Sequence, residues 1–219
     1  MSDSKTIAVV LSGCGVYDGA EIHEAVLTLL ALDRAGVTTQ IYAPDIPQAH
    51  VVNHLTGEVA EGETRNVLVE SARIARGEIK ALSELSASDA NALVFPGGFG
   101  GAKNLSTFAF DGPAMSVNAE VTRVVSEFRA SEKPIGFICI TPAFAAKLIP
   151  GVKITLGCEG DAPAAARQLG AEHVETSVDQ IVIDEQHNVV STAAYMLGPW
   201  IAAVAAGIDA LVAEVLRRS

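Results

Sequence analysis

Short apolar runs alternate along this chain with longer stretches in which apolar residues return every three or four positions. Thr6 to Leu11, Asn91 to Phe95 and the run that ends at Cys139 read as buried strands, and Thr38 to Ala43 as a further strand stopped by Pro44. Between them lie helical patterns. Ala25, Val26, Leu29, Leu30 and Leu32 share one spacing, closed by Gly36. Val67, Ser71, Ile74 and Ala75 mark one face of a helix from about Glu63 to Arg76. Further helices are predicted near Val117 to Ser131, shortly after Ile154 to Gly157, and from about Pro199 to Leu216. Ile181 to Asp184 and Val189 to Thr192 form a hairpin turned at Glu185 to Asn188. A polar, glycine-containing excursion runs from Gln48 to Gly62.

Strands alternating with helices through glycine-rich turns predict an α/β fold, a mostly parallel sheet covered on both faces. No repeat, low-complexity stretch or linker interrupts the pattern, so residues 1–219 are expected to form a single domain. Ligands of such sheets sit at the carboxyl ends of the strands, where strand order reverses. Three turns follow predicted strands: Gly13 to Gly19, Gly97 to Gly101, and Cys139 to Pro142. If those strands are central, the turns meet in one crevice.

Composition narrows the partners. Apolar residues make up 49% of the chain and charged ones 19%, enough for a large core and too little charge for disorder. A net charge of −11 argues against nucleic acid or an anionic membrane as partner. The three cysteines, at 14, 139 and 158, form no CxxC pair and no signal peptide precedes the first strand. A reduced, cytoplasmic protein with free thiols is expected. No apolar run approaches the roughly 18 residues of a membrane span.

Chemistry concentrates at Cys139. It ends a buried strand just before Pro142, a residue suited to the first helical position. Unpaired backbone N–H groups and a helix dipole there favour thiolate, although a buried structural cysteine fits the position too. Glu21 lies where the first helix begins. It reads either as the partner that closes a capping box with Asp18 or as a carboxylate facing the thiol. Gly97-Gly98-Phe99-Gly100-Gly101 offers unobstructed N–H groups for an oxyanion, or simply a turn that needs positive φ. The turn Gly13 to Gly19 carries Asp18 where a dinucleotide loop needs glycine, and no P-loop occurs, so no cofactor is expected. His50 and His54 have i, i+4 spacing but no completing ligand, so no metal site is expected. His23 reads as a surface residue near the crevice rim, and Arg217 and Arg218 as partners of a helix C-terminus.

Gly19-Ala20-Glu21, Pro96-Gly97-Gly98 and the strand that ends in Cys139 together resemble the ThiJ/PfpI superfamily, the class I glutamine-amidotransferase-like fold. The runs from Leu11 to Val26, Asn53 to Glu58, Glu63 to Leu68 and Pro96 to Gly100 are similar to its ElbB glyoxalase-like branch, also labelled enhancing lycopene biosynthesis protein. That likeness extends through Ala194-Tyr195-Met196-Leu197. It implies a flavodoxin-like doubly wound sandwich with Cys139 as elbow nucleophile and Glu21 as its carboxylate. Gly97, Gly98 and Ile140 would line the oxyanion and substrate site. Two histidines of relatives are missing: Thr155-Leu156-Gly157-Cys158 and Thr192-Ala193-Ala194-Tyr195 stand in their places, so glutaminase chemistry lacks its base.

The function this implies is a slow, cofactor-free glyoxalase-like lyase. It would convert methylglyoxal or glyoxal to the hydroxyacid through the Cys139 thiolate and a Glu21 proton shuttle. The small-molecule partner is an aldehyde, and a homodimer is expected. The alternatives are a thiol redox sensor and an accessory protein of isoprenoid metabolism.

Overall fold

The computed structural model describes residues 5–198 and 200–219. Pro199, the expected start of the closing helix, lies outside them. Seven strands form the main sheet: β1 (Thr6–Val10), β2 (Thr38–Ala43), β3 (Lys80–Ala81), β4 (Ala92–Phe95), β5 (Ile135–Ile138), β6 (Ile181–Asp184) and β7 (Val189–Thr192). Their spatial order is β6-β7-β5-β4-β1-β2-β3. All neighbours are parallel except β6 and β7, which form the expected antiparallel hairpin. The result is the flavodoxin-like doubly wound α/β architecture.

Alternation along β1 builds the two layers. Ala8 and Val10 point into a core with Leu93, Phe95 and Phe137, covered by α4 (Ala119–Ala130) and α5 (Pro142–Leu148). Ile7 and Val9 point to the other face. There they join Leu32 of α1 (Ile22–Arg34) and Ile208, Leu211 and Val215 of the closing helix α7 (Ile201–Arg218). The remaining longer helices are α2 (Val67–Ile74), α3 (Phe99–Lys103) and α6 (Asp161–Gln168). The rings of Phe95 and Phe137 stack at 5.3 Å, and Phe144 of α5 meets both edge-on. Burying each such ring contributes about 1.5–3 kcal/mol. Here the burial also fixes the ends of the two strands that enter the crevice.

Some boundaries move. The second helix begins at Val67, not near Glu63, because residues before it pair back on the chain: Val67 N–H donates to Ile46 O, and Pro47 bridges Asn66. Asn66 caps that helix, accepting from Val69 N–H at 3.0 Å. Asp18 does not cap α1. Its buried carboxylate accepts the Val52 N–H at 2.7 Å and clips the 48–62 excursion onto the first glycine turn. The stretch after Ile154 adds no strand to the main sheet; Lys153–Ile154 pairs with Glu172–His173 in a separate ribbon.

Candidate active site

Strand order reverses between β1 and β4, and the chemistry lies at their carboxyl ends. At the end of β5 the chain turns sharply, with Cys139 at φ +63°. A non-glycine residue held there is strained, and such strain collects at functional sites. Three contacts hold the elbow. Cys139 N–H donates to Thr192 O at 2.9 Å, tying it to β7. The buried Thr141 hydroxyl accepts Ile138 N–H at 2.9 Å and can give its proton to Phe95 O, 3.1 Å away. Thr141 thereby binds the elbow to the end of β4.

The carboxyl against the thiol is that of Glu24, not Glu21. Glu21 is the N-cap of α1, accepting the Glu24 N–H at 2.7 Å. With the helix starting one turn later than a cap at Asp18 would place it, Glu24 falls on the inward face with Ala25 and Thr28. Glu24 is fully buried and hydrogen-bonds the Cys139 side chain. Its Oε2 accepts Gly97 N–H at 3.0 Å and its Oε1 accepts Tyr195 N–H at 3.1 Å. Glu21 still lines the cavity beside the thiol.

Gly97 and Gly98 divide their roles. Gly97 cannot serve an oxyanion, because its N–H is taken by Glu24 and its carbonyl by Glu21 N–H. Its role is close approach, since a Cβ there would lie 2.3 Å from Cys139 Cβ. Gly98, at φ +98°, and Ile140 direct backbone N–H groups at the Cys139 sulfur. These two positions carry the oxyanion expectation.

Burial overrides the helix-end argument for a thiolate. Desolvation first, and then the Glu24 charge, push the Cys139 thiol well above its ordinary range, against the pull of the two N–H groups. Desolvation likewise raises Glu24 to about 8. Neighbouring acids this close resist double ionisation, so the pair carries at most one negative charge around neutrality.

The cavity measures about 190 Å³ and is lined by Val16, Glu21, Gly98, Phe99, Cys139, Ile140, Tyr195 and Met196. No histidine lines it among the described residues. His23 instead lies at the rim, its Nδ1 2.8 Å from the Tyr195 hydroxyl. His54 engages Tyr17 N–H and Val52 O, and His50 lies edge-on to Phe110. Among the described residues no group of three or more His, Cys, Asp or Glu is arranged to hold a metal ion, and no helix is long and apolar enough to cross a membrane. Sequence reasoning missed Glu24, Thr141 and the placement of Tyr195. The available signal for Glu24 was its phase: it precedes Thr28 by four residues, on the stripe that includes Ala31 and Leu32.

The chain has counterparts among known proteins. The chain is 50% identical over an alignment of 219 residues to the rat ES1 protein homolog, mitochondrial, covering 96% of this chain and 82% of that protein. The human glutamine amidotransferase-like class 1 domain-containing protein 3, mitochondrial, matches at the same identity and coverage. This chain belongs to the ES1 family. A crystal structure from Ehrlichia chaffeensis, an isoprenoid biosynthesis protein with amidotransferase-like domain, superimposes with a TM-score of 0.91 at 38% identity, covering 98% of this chain and 99% of that one. Drosophila melanogaster DJ-1beta shares the fold at a TM-score of 0.56 and 20% identity, covering 98% and 95% of the two chains. The chain thus shares the fold of proteins described as DJ-1 and ThiJ/PfpI. No family profile matches the chain. The rat and human relatives are both named mitochondrial, which overturns the cytoplasmic expectation.

Proposed function

We propose that this ES1-family protein is a cofactor-free lyase that converts short, neutral 2-oxoaldehydes to 2-hydroxyacids. The observation that carries the reading is the Cys139–Glu24 pair: a strained, buried thiol hydrogen-bonded to a carboxyl whose ionisation is delayed to about 8. Proton transfer within the singly charged pair gives thiolate beside carboxylic acid. The thiolate adds to the aldehyde carbon, and the new oxyanion meets the Gly98 and Ile140 N–H groups before taking the Glu24 proton. Glu24 then moves a proton between adjacent carbons through an enediol, and water releases the acid from the thioester. A carboxyl that titrates near the working pH suits both directions of that transfer. The apolar walls of Val16, Phe99, Ile140 and Met196, with the Glu21 carboxylate beside them, favour uncharged over anionic substrates.

The test is lactate formed from methylglyoxal. Wild type should produce it, Cys139→Ser should abolish it, and Glu24→Gln should lower kcat by about 100-fold. Lactate production that survives in Cys139→Ser would refute the reading.

A redox-sensing role is the second reading, favoured by the ring of donors around one sulfur. Two backbone N–H groups and a protonated Glu24 would hold sulfinate oxygens. Peroxide titration with intact-mass detection separates the two: sensing requires sulfinate at Cys139 before Cys158 is oxidised.

A further inference from the structure

The aldehyde chemistry needs an acid for the ketone oxygen, and neither member of the Cys139–Glu24 pair is free to supply it while handling the aldehyde carbon. We propose that Tyr195 is that catalytic acid and that His23 is the positioning residue that keeps its proton aimed into the cavity. This rests on the aldehyde reading above.

Three observations converge on Tyr195. It lines the same cavity as Cys139. Its hydroxyl lies 2.8 Å from His23 Nδ1. Its backbone N–H is fixed on Glu24 Oε1 at 3.1 Å. The turn that delivers it is strained: Ala194 sits at φ +43°, a non-glycine residue in left-handed space. That conformation lets one residue reach both the buried carboxyl with its backbone and the cavity with its ring. With Nδ1 carrying the ring proton, His23 donates to the phenolic oxygen and leaves the Tyr195 O–H pointing at the ligand. The groups that face the hydroxyl are His23, Glu21 and Glu24 from the start of α1, and Cys139 across the cavity. Burial and the two carboxylates push the phenol above its ordinary value, which keeps it a donor through neutral pH.

The step balances without an oxidant. In the hemithioacetal on Cys139, Glu24 carboxylate removes the proton from C1 while Tyr195 O–H gives its proton to the C2 oxygen. The C1–H electron pair becomes the C1–C2 double bond of the enediol, and the phenolate rests on His23 N–H. Glu24 then returns its proton to C2, and the phenolate takes the C1 hydroxyl proton, leaving the thioester and a regenerated Tyr195.

Steady-state kinetics on methylglyoxal across pH 6–9.5 test this in wild type, Tyr195→Phe, His23→Ala, His23→Asn and Cys139→Ser. Tyr195→Phe keeps the backbone bond to Glu24. It should lower kcat about 100-fold with KM within about twofold at every pH in this range, over which the wild-type phenol keeps its proton. Iodoacetamide should alkylate Cys139 at the wild-type rate in this variant, showing the pair intact. His23→Asn, with an amide N–H near the Nδ1 position, should recover activity that His23→Ala loses. Three outcomes would each overturn the assignment: Tyr195→Phe with unchanged kcat, a parallel loss of Cys139 alkylation, or His23→Asn no better than His23→Ala. Turnover in wild type that Cys139→Ser does not remove would overturn the aldehyde reading itself, and Tyr195 with it.

Discussion

Replacing Glu24 by Gln removes a carboxyl whose ionisation the fold opposes. An unfolded glutamate titrates near 4.5, whereas Glu24 in the fold titrates at about 8. Below pH 4.5 both states hold the proton and the native state has its full stability. Between 4.5 and about 8 the native state retains a proton that the unfolded chain has released, so stability falls as pH rises. At about 1.4 kcal/mol for each pH unit, this side chain takes away about 5 kcal/mol by pH 8. Glutamine carries no such slope, but it has one acceptor oxygen for two N–H groups, those of Gly97 and Tyr195. One is left unsatisfied, a constant penalty of about 1–3 kcal/mol. The stability curves of wild type and Glu24→Gln should therefore cross between about pH 5 and 7. Wild type is the more stable below the crossing and the variant above it. Urea unfolding at half-unit steps from pH 5 to 8 measures this, and other titrating groups cancel in the difference. The difference should change by about 4 kcal/mol over that range. Parallel curves would mean that Glu24 is already ionised in the fold, and the proton shuttle would lose its basis.

Three further outcomes follow from the same site. Iodoacetamide with peptide mass spectrometry at pH 7 should label the exposed Cys158 before Cys139, which is 7% exposed; labelling of Cys139 should accelerate as pH rises, and Glu24→Gln should relieve part of that delay. Gly97→Ala would drive a methyl group to 2.3 Å from Cys139 Cβ and 2.6 Å from Glu24 Oε2, so calorimetry should show a lowered Tm and the activity assay a complete loss. Phe137→Ala removes the ring that stacks on Phe95 and should cost about 3–5 kcal/mol in denaturant unfolding.

The layers were readable because their cause is local. Buried parallel strands are continuous apolar runs, and Thr6 to Val10 and Ala92 to Phe95 fall where the pattern puts them. The turn chemistry placed Cys139 and Gly98 at the crevice for the same reason. Glu21 and Glu24 were harder to separate, because an acidic residue at either position suits a helix start. Shifting that start by one turn exchanges cap for core, and the tie was broken by Asp18. Its carboxylate belongs to Val52, a partner 34 residues away in a segment with no periodicity to reveal it. The thiol's ionisation was misjudged because the strand end and helix start are visible in sequence, whereas desolvation arises from how tightly Gly97 and Glu24 close around the sulfur.

Glu24 sits on α1, after β1, and is fastened to the residues that follow β4, β5 and β7. Four segments distant in sequence thus share one side chain, and none can lift away without breaking a contact buried from water. Hydrogen exchange should register this as slow, whole-molecule behaviour in turns that would ordinarily be fast. The Gly97 and Tyr195 amides are expected to exchange with the central strands, through global unfolding and not through local opening. A crevice held in this way loses its shape only when the protein does.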